Sequence, residues 1–148
     1  MNTAEISSIL RRRCRNTFVG VFASDRLPST LPAKRPLILV CNTDPHDKPG
    51  KHWVVLYLGR EGKAEYFDSL HEAPPSVFKK YLEKNSASWT GCSRQLQSAA
   101  SQFCGHYCIF YCLFRSLNYS MKALTSCFSH DTGTNDIFTH AFICKLLK

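Results

Sequence analysis

HWVVLYL, residues 52–58, is a nearly uninterrupted apolar run that opens with a histidine. Its length and its β-branched residues are typical of a central, buried strand. A second strand is predicted for residues 62–67, GKAEYF, which come after a turn and end at Asp68. If the two strands form a hairpin, the start of the first lies beside the end of the second. We therefore expect the His52 imidazole and the Asp68 carboxylate to be neighbours.

A cysteine opens the other long apolar run of the chain. Cys104 and Gly105 follow a polar segment and precede residues 107–114, YCIFYCLF, which are long enough to form a buried helix. The Cys104 thiol would then lie at a helix N-terminus, where free backbone N–H groups and the helix dipole favour the thiolate. Because Gly105 has no side chain, it adds no atoms to the crowded side of this thiol. The sequence thus predicts a reactive cysteine.

Four groups together indicate thiol acyl transfer. A cysteine protease needs a thiolate nucleophile, an imidazole and an acid that orients the imidazole, and Cys104, His52 and Asp68 supply these groups. Gln97, seven residues before Cys104, could aim its amide N–H at the developing oxyanion beside the Cys104 backbone N–H. Each residue alone has an ordinary structural explanation, such as a buried cysteine or a strand-to-turn aspartate. Their joint order favours catalysis.

The order His-Trp, acid, Gln, Cys-Gly resembles the adenain-like branch of the SUMO-protease superfamily, which includes the adenovirus maturation protease. Residues 18–28 look like the substrate-cleft segment of adenain, and residues 40–43, VCNT, look like its strand before the His-Trp pair. The resemblance implies supporting roles in the substrate cleft or the oxyanion site for four more residues. These are Asp25, Asn42, Trp53 and Gly105.

The finer resemblance leaves the substrate open. The seven-residue step from Gln97 to Cys104 matches adenain. Asp68 instead matches the SUMO proteases, because adenain has Glu at this position. Residues 119–122, YSMK, and 134–136, TND, resemble proteases of Polinton (Maverick) elements and adintoviruses. The leading hypothesis is a thiol endopeptidase that processes viral or transposon capsid or core precursors, near Gly-Gly-type sites. The alternatives are a SUMO- or NEDD8-like deconjugating isopeptidase and a catalytically silent DNA- or capsid-binding module.

Length and composition fit one cysteine protease domain over residues 1–148, because a chain of this size can bury about two-thirds of its unfolded surface. No apolar stretch approaches the roughly 20 residues that span a membrane, and the N-terminal segment is polar. We expect a monomer in the host nucleus or cytoplasm and in the virion, neither secreted nor membrane-spanning.

The chain has eight cysteines but no Cys-x-x-Cys pair, which argues against a zinc site or a disulfide scaffold. Cys104, Cys108 and Cys112 recur at every fourth position and so share one helix face. The expected arrangement is a core-facing stripe of reduced thiols with a reactive first member. No metal and no cofactor are expected to be required for the chemistry.

Basic residues outnumber acidic ones, with 19 Lys and Arg against 11 Asp and Glu and a net charge of +8. Such a surplus favours polyanions. The resemblance adds that adenain uses viral DNA as a cofactor and is activated by a short peptide. Besides the protein substrates, non-specific DNA and an activating peptide are therefore expected partners. The densest basic cluster is the expected DNA-binding surface, and the alternative is that it is only a solvated helix end. That cluster consists of Arg11, Arg12, Arg13 and Arg15.

The predicted fold class is α+β, with the adenain/SUMO-protease-like arrangement of a mostly antiparallel central sheet flanked by helices, and the nucleophile at the N-terminus of a buried helix. Strands are predicted within residues 16–22, 37–41, 52–58, 62–67 and 92–97, the last of them after a turn near Thr90 and Gly91. Helices are predicted at residues 3–13, 74–84, 104–117, 120–128 and 135–147.

Overall fold

Five strands form one sheet in a computed structural model that describes residues 1–148, and five α-helices surround it. Three of the helices pack against the sheet, and the last two pack on the third. The strands are β1 (Phe18–Phe22), β2 (Leu37–Asn42), β3 (Trp53–Leu58), β4 (Lys63–Phe67) and β5 (Ser88–Gly91). The helices are α1 (Thr3–Arg13), α2 (Ser76–Asn85), α3 (Cys104–Ser116), α4 (Met121–Ser126) and α5 (Thr132–Leu146). None of the helices is both long and apolar enough to cross a membrane. The predicted α+β architecture, a central sheet flanked by helices, is confirmed.

The sheet follows the chain order β1-β2-β3-β4-β5 and is mixed. The three central strands are antiparallel, and the predicted β3–β4 hairpin is confirmed by the pairing of Val55 with Phe67 and of Leu58 with Ala64. Both edge strands instead run parallel to their neighbours. The prediction of a mostly antiparallel sheet is therefore correct only for the centre. A long loop connects β1 to β2, and α2 lies between β4 and β5 in the chain. Long connections of this kind permit parallel pairing.

Alternate residues of the central strands supply two apolar layers, because successive side chains of a strand point to opposite faces. Ile38, Val40 and Val55 belong to a larger cluster that includes side chains of α1, α3 and α5. Leu39 and Leu56 belong to a smaller cluster with side chains of α2. The sheet is thus buried on both faces, which explains why the sequence of these strands is almost uniformly apolar.

Helix α3 is fixed against the hairpin by aromatic and polar contacts. The Tyr111 ring stacks on Phe67 with a centroid distance of 4.4 Å, and its hydroxyl donates to Glu65 on β4. Arg115 donates to both carboxylate oxygens of Glu65, at 2.9 and 3.2 Å, and its guanidinium lies over the Tyr57 ring. These contacts set the position of the first residue of α3 relative to the ends of β3 and β4.

The predicted strand at residues 92–97 is wrong. The strand is β5, and it includes Thr90 and Gly91, where the sequence suggested a turn. The backbone N–H groups of Leu96 and Gln97 both donate to the Ser69 carbonyl oxygen, so this segment hydrogen-bonds to the turn after β4 instead of continuing the sheet.

The predicted helices are confirmed to within a few residues at their ends. Helix α1 has the expected bounds, and its N-cap Asn2 forms a capping box with Glu5. Helix α5 begins three residues earlier than predicted, because the Asp131 side chain accepts from the Gly133 N–H and caps the first turn.

Candidate active site

Three element ends meet at one place on the sheet. His52 precedes β3, Asp68 follows β4 and Cys104 is the first residue of α3. The His52 Nε2 atom lies 2.6 Å from Asp68 Oδ1, and the two side chains are 8% and 2% exposed. The hairpin register therefore brings together the imidazole and the carboxylate that the sequence predicted to be neighbours.

The Asp68 carboxylate is held by backbone donors as well as by the histidine. The Leu70 N–H donates to Oδ1 at 2.9 Å and the Glu72 N–H donates to Oδ2 at 3.3 Å. The turn that presents these N–H groups passes through His71, which has a positive φ of 57°. These hydrogen bonds fix the orientation of the carboxylate toward the ring.

His52 is placed between the carboxylate and the thiol. Because Nε2 is engaged by Asp68, Nδ1 is the ring nitrogen left for the nearby Cys104 thiol. Burial disfavours the charged ring, but hydrogen bonds and charge attraction from Asp68 and Cys104 outweigh it and raise the pKa of His52 to about 9. The site thus favours an imidazolium.

Cys104 is the one cysteine whose pKa is shifted downward. Burial raises it, but the His52 side chain and the backbone N–H groups of Trp53 and Gly105 outweigh burial and lower the pKa of Cys104 below its ordinary value. The N-cap residue, Phe103, places no side-chain oxygen against the first turn of α3, so the Cys104 and Gly105 N–H groups remain available to an anion. Together these groups favour a thiolate.

The other cysteines lack this environment. Burial raises the pKa of five of them, and the remaining two, Cys127 and Cys144, are exposed. The five with raised pKa values are Cys14, Cys41, Cys92, Cys108 and Cys112. Cys108 and Cys112 lie in the core as the helix periodicity predicted, and all eight thiols are free. No group of three or more His, Cys, Asp or Glu side chains has an arrangement that could hold a metal ion.

Gly105 and Trp53 pack directly beside the thiol. A Cβ atom at Gly105 would lie 3.3 Å from Met1 Cβ, 3.4 Å from Trp53 Cδ1 and 3.5 Å from Ile6 Cδ1. The Trp53 indole N–H donates to the Met1 carbonyl oxygen at 3.2 Å, which ties the start of the chain to this position. A larger residue at position 105 would be tight against Met1, so packing favours glycine here.

Gln97 is buried, and both ends of its side-chain amide have partners. The Ser69 hydroxyl donates to Gln97 Oε1 at 2.7 Å, and Gln97 Nε2 donates to the Ser101 carbonyl oxygen at 3.0 Å and to Ser101 Oγ at 3.1 Å. The sequence indicated neither serine. The available sequence signal for Ser69 was its position directly after Asp68.

Asn42 and Asp25 lie at the loop that leads to His52. The Asn42 Oδ1 atom accepts from the backbone N–H groups of Asp44 and Lys51, at 2.9 and 3.2 Å. Asp25 accepts from the His46 backbone N–H at 2.8 Å and from its ring, which holds the pKa of Asp25 below its usual range. In this structure both residues organise the loop, and neither contacts Cys104.

A groove of about 480 Å³ lies next to this loop. Its walls come from α1, β1 and the segment before His52, and they include Trp53 and Asn42.

The basic cluster is exposed at the end of α1. The Arg11 and Arg12 guanidinium groups fold back onto Ser7 and Ser8 of the same helix. Arg13 and Arg15 are also exposed. Because consecutive helical residues are rotated by about 100°, these side chains cover more than one face of the helix.

No protein-family model matches the sequence. Over 48 residues, which are 30% of this chain and 18% of its relative, the chain is 38% identical to the cysteine protease S273R of African swine fever virus.

Two crystal structures of the African swine fever virus pS273R protease have a similar fold. One matches with a TM-score of 0.65 and 21% identity, covering 94% of this chain and 66% of that one. The selenomethionine form matches with a TM-score of 0.51 and 27% identity, covering 72% and 45%. The predicted protease-like α+β fold is thereby confirmed, and the chain spans less than two-thirds of the length of each relative. The closer resemblance to adenain and Polinton proteases stays a prediction.

Proposed function

We propose that this chain is a cysteine endopeptidase in which Cys104 is the nucleophile, His52 the acid–base group and Asp68 the residue that orients His52. The observation that carries the proposal is the 2.6 Å contact between His52 and Asp68 beside a helix-terminal cysteine whose pKa is lowered. The similarity to a viral cysteine protease supports the same reaction class.

The first half of the reaction is acylation of Cys104. The thiolate attacks the carbonyl carbon of the scissile amide, and the negative charge moves to the carbonyl oxygen. The Cys104 backbone N–H and the Gln97 amide are the proposed donors to this oxygen, and Gln97 exchanges one of its two hydrogen bonds to Ser101 for the bond to the oxyanion. The proton on His52 then passes to the amide nitrogen, the C–N bond breaks and the amine leaves, so that a thioester remains on Cys104.

The second half is hydrolysis of the thioester. Neutral His52 takes a proton from water as the water oxygen attacks the acyl carbon, and the C–S bond breaks to return the thiolate and release the acid. In both halves the Asp68 carboxylate orients His52 and stabilises the imidazolium. Three donors satisfy its carboxylate in the resting site, which suits this role.

The substrates that we propose are viral or transposon capsid or core precursors, cut near small residues such as Gly-Gly. The relative with matching sequence is a virus protein, which supports this choice. DNA bound at the basic end of α1 is a proposed accessory partner.

Cleavage assays on purified chain test the function. The chain is incubated with a Gly-Gly peptide library and, separately, with fluorogenic SUMO-like and NEDD8-like modifiers, each with and without duplex DNA. We expect peptide cleavage that Cys104→Ala removes. Cleavage of the modifiers alone would favour the isopeptidase alternative. Binding of DNA without any cleavage would favour the catalytically silent module.

A further inference from the structure

Ser69 connects the turn after β4 to the segment that carries Gln97. Its side chain is 1% exposed, and its hydroxyl donates to Gln97 Oε1 at 2.7 Å. Its carbonyl oxygen accepts from the N–H groups of Leu96 and Gln97, at 2.8 and 3.0 Å. One residue therefore holds both the backbone and the side chain of Gln97.

The contacts of the Gln97 amide define its orientation. With Oε1 bound to the Ser69 hydroxyl, the Nε2 end faces Ser101, which lies three residues before Cys104. A flipped amide would place its oxygen against the Ser101 carbonyl oxygen, and two acceptors repel each other. Only the observed orientation directs the N–H groups toward the segment that enters α3.

The backbone around Gln97 has independent supports from α5. The Asn135 side chain donates to the Leu96 carbonyl oxygen at 3.0 Å, and Asp136 accepts from the Ser98 N–H at 3.4 Å. These contacts fix where the segment lies. They leave the rotation of the Gln97 amide to Ser69 and Ser101.

We propose that Ser69 is a positioning residue, whose hydroxyl sets the Gln97 amide with its N–H groups toward the oxyanion site beside Cys104. The proposal rests on the proposed peptidase function. Asp68 and Ser69, adjacent in sequence, then have parallel tasks. The first orients the imidazole that transfers the proton, and the second orients the amide that stabilises the oxyanion.

The experiment measures kcat and KM for peptide cleavage by wild type, Ser69→Ala, Gln97→Ala and the double variant. Loss of one orienting hydrogen bond should lower the kcat of Ser69→Ala about tenfold with little change in KM. In the Gln97→Ala background, Ser69→Ala should change kcat less than twofold, because a residue that acts through Gln97 has nothing left to orient. An equal loss in both backgrounds, or an unchanged kcat in wild type, would overturn the proposal.

The rate of Cys104 alkylation separates this role from damage to the neighbouring Asp68. Ser69→Ala should leave that rate unchanged, because the thiolate depends on His52 and not on Gln97. A rate that falls together with kcat would show that Ser69 acts through the His52–Asp68 pair, against the proposal. If Ser69→Ala does not fold, Ser69→Cys, of similar size but a weaker donor, gives the same comparison.

Ser86→Ala is the matched control, since its hydroxyl donates to the Leu82 carbonyl oxygen at 2.6 Å at the end of α2, far from the site in the fold. It should retain wild-type kcat. Absence of cleavage by the wild-type chain would instead count against the proposed function itself. Wild-type cleavage with an unaffected Ser69→Ala variant would count against the role of Ser69 alone.

Discussion

The Nε2 atom of His52 lies 2.6 Å from Oδ1 of Asp68, although 15 residues and a hairpin turn separate the two in the chain. The antiparallel register of β3 and β4 makes this contact. Its chemical consequence is an imidazole whose pKa is about 9, beside a thiol whose pKa is lowered. These opposite shifts define a pH range in which thiolate and imidazolium coexist.

Asp68→Asn should lower kcat, though less than Cys104→Ala, and should change the pH profile. In wild type, activity falls as pH rises through about 9, because His52 loses the proton that the leaving amine needs. Replacing the carboxylate removes an attraction that raises this pKa, so the alkaline limb should move to lower pH. Measurements of kcat/KM against pH check this. An alkaline limb at an unchanged pH would contradict the assigned contact.

Cys104 should be the first thiol alkylated by iodoacetamide at neutral pH. Cys127 and Cys144 are more exposed, so accessibility alone would favour them. Thiolate character instead favours Cys104, because its pKa is lowered. Mass spectrometry of digests after short exposure identifies the labelled residue. Preferential labelling of Cys127 or Cys144 would argue against an activated Cys104.

Gln97→Ala should lower kcat by about 10²- to 10³-fold with little change in KM, as expected for loss of one oxyanion donor. The amide is buried and has partners at both ends, so it is already ordered before substrate binds. Steady-state kinetics on a cleaved peptide measures both constants. A change confined to KM would show that Gln97 binds substrate and takes no part in stabilising the oxyanion.

Replacing Arg11, Arg12 and Arg13 with Gln should weaken binding of duplex DNA. Each lost phosphate contact should reduce the slope of log affinity against log salt by about one unit. Fluorescence anisotropy with a labelled duplex at several salt concentrations measures the slope. Peptide cleavage without DNA should be unchanged, because none of these side chains contacts the thiol site.

A matched triple variant controls for net charge in the DNA experiment. Lys79, Lys80 and Lys84 are exposed on α2, which packs on the opposite face of the sheet from α1. Their replacement by Gln removes the same three charges and should affect DNA binding less. Equal losses of DNA affinity in the two triple variants would indicate a general charge effect. Unchanged DNA binding by the arginine triple variant would show that the α1 cluster is only a solvated helix end.

The central part of the site could be predicted from the sequence, because local patterns determine it. Two adjacent apolar runs with a turn between them specify a hairpin, and a hairpin specifies which residues face each other at its open end. The place of Cys104 at a helix N-terminus follows from a similar local pattern. Its approach to His52 depends on the packing of α3 against the hairpin, which involves residues distant in sequence.

The surroundings of Gln97 could not be predicted, because they depend on contacts between distant segments. Its backbone bonds to Ser69, 28 residues away, and not to a strand. Its neighbour Leu96 is held by Asn135, on the last helix. Similarly, Thr90 and Gly91 suggest a turn locally, but parallel pairing with β4 makes them a strand.

The most direct test of the central claim is the rate of peptide cleavage by wild type, Cys104→Ala and the matched control Cys127→Ala. Cys127 is an exposed cysteine outside the site, so its replacement should leave the rate at the wild-type value. Cys104→Ala should abolish cleavage while circular dichroism and the melting temperature show an intact fold, because only the nucleophile is lost. His52→Ala should reduce the rate nearly as far. Substantial cleavage by a folded Cys104→Ala variant would contradict the assignment of Cys104 as nucleophile.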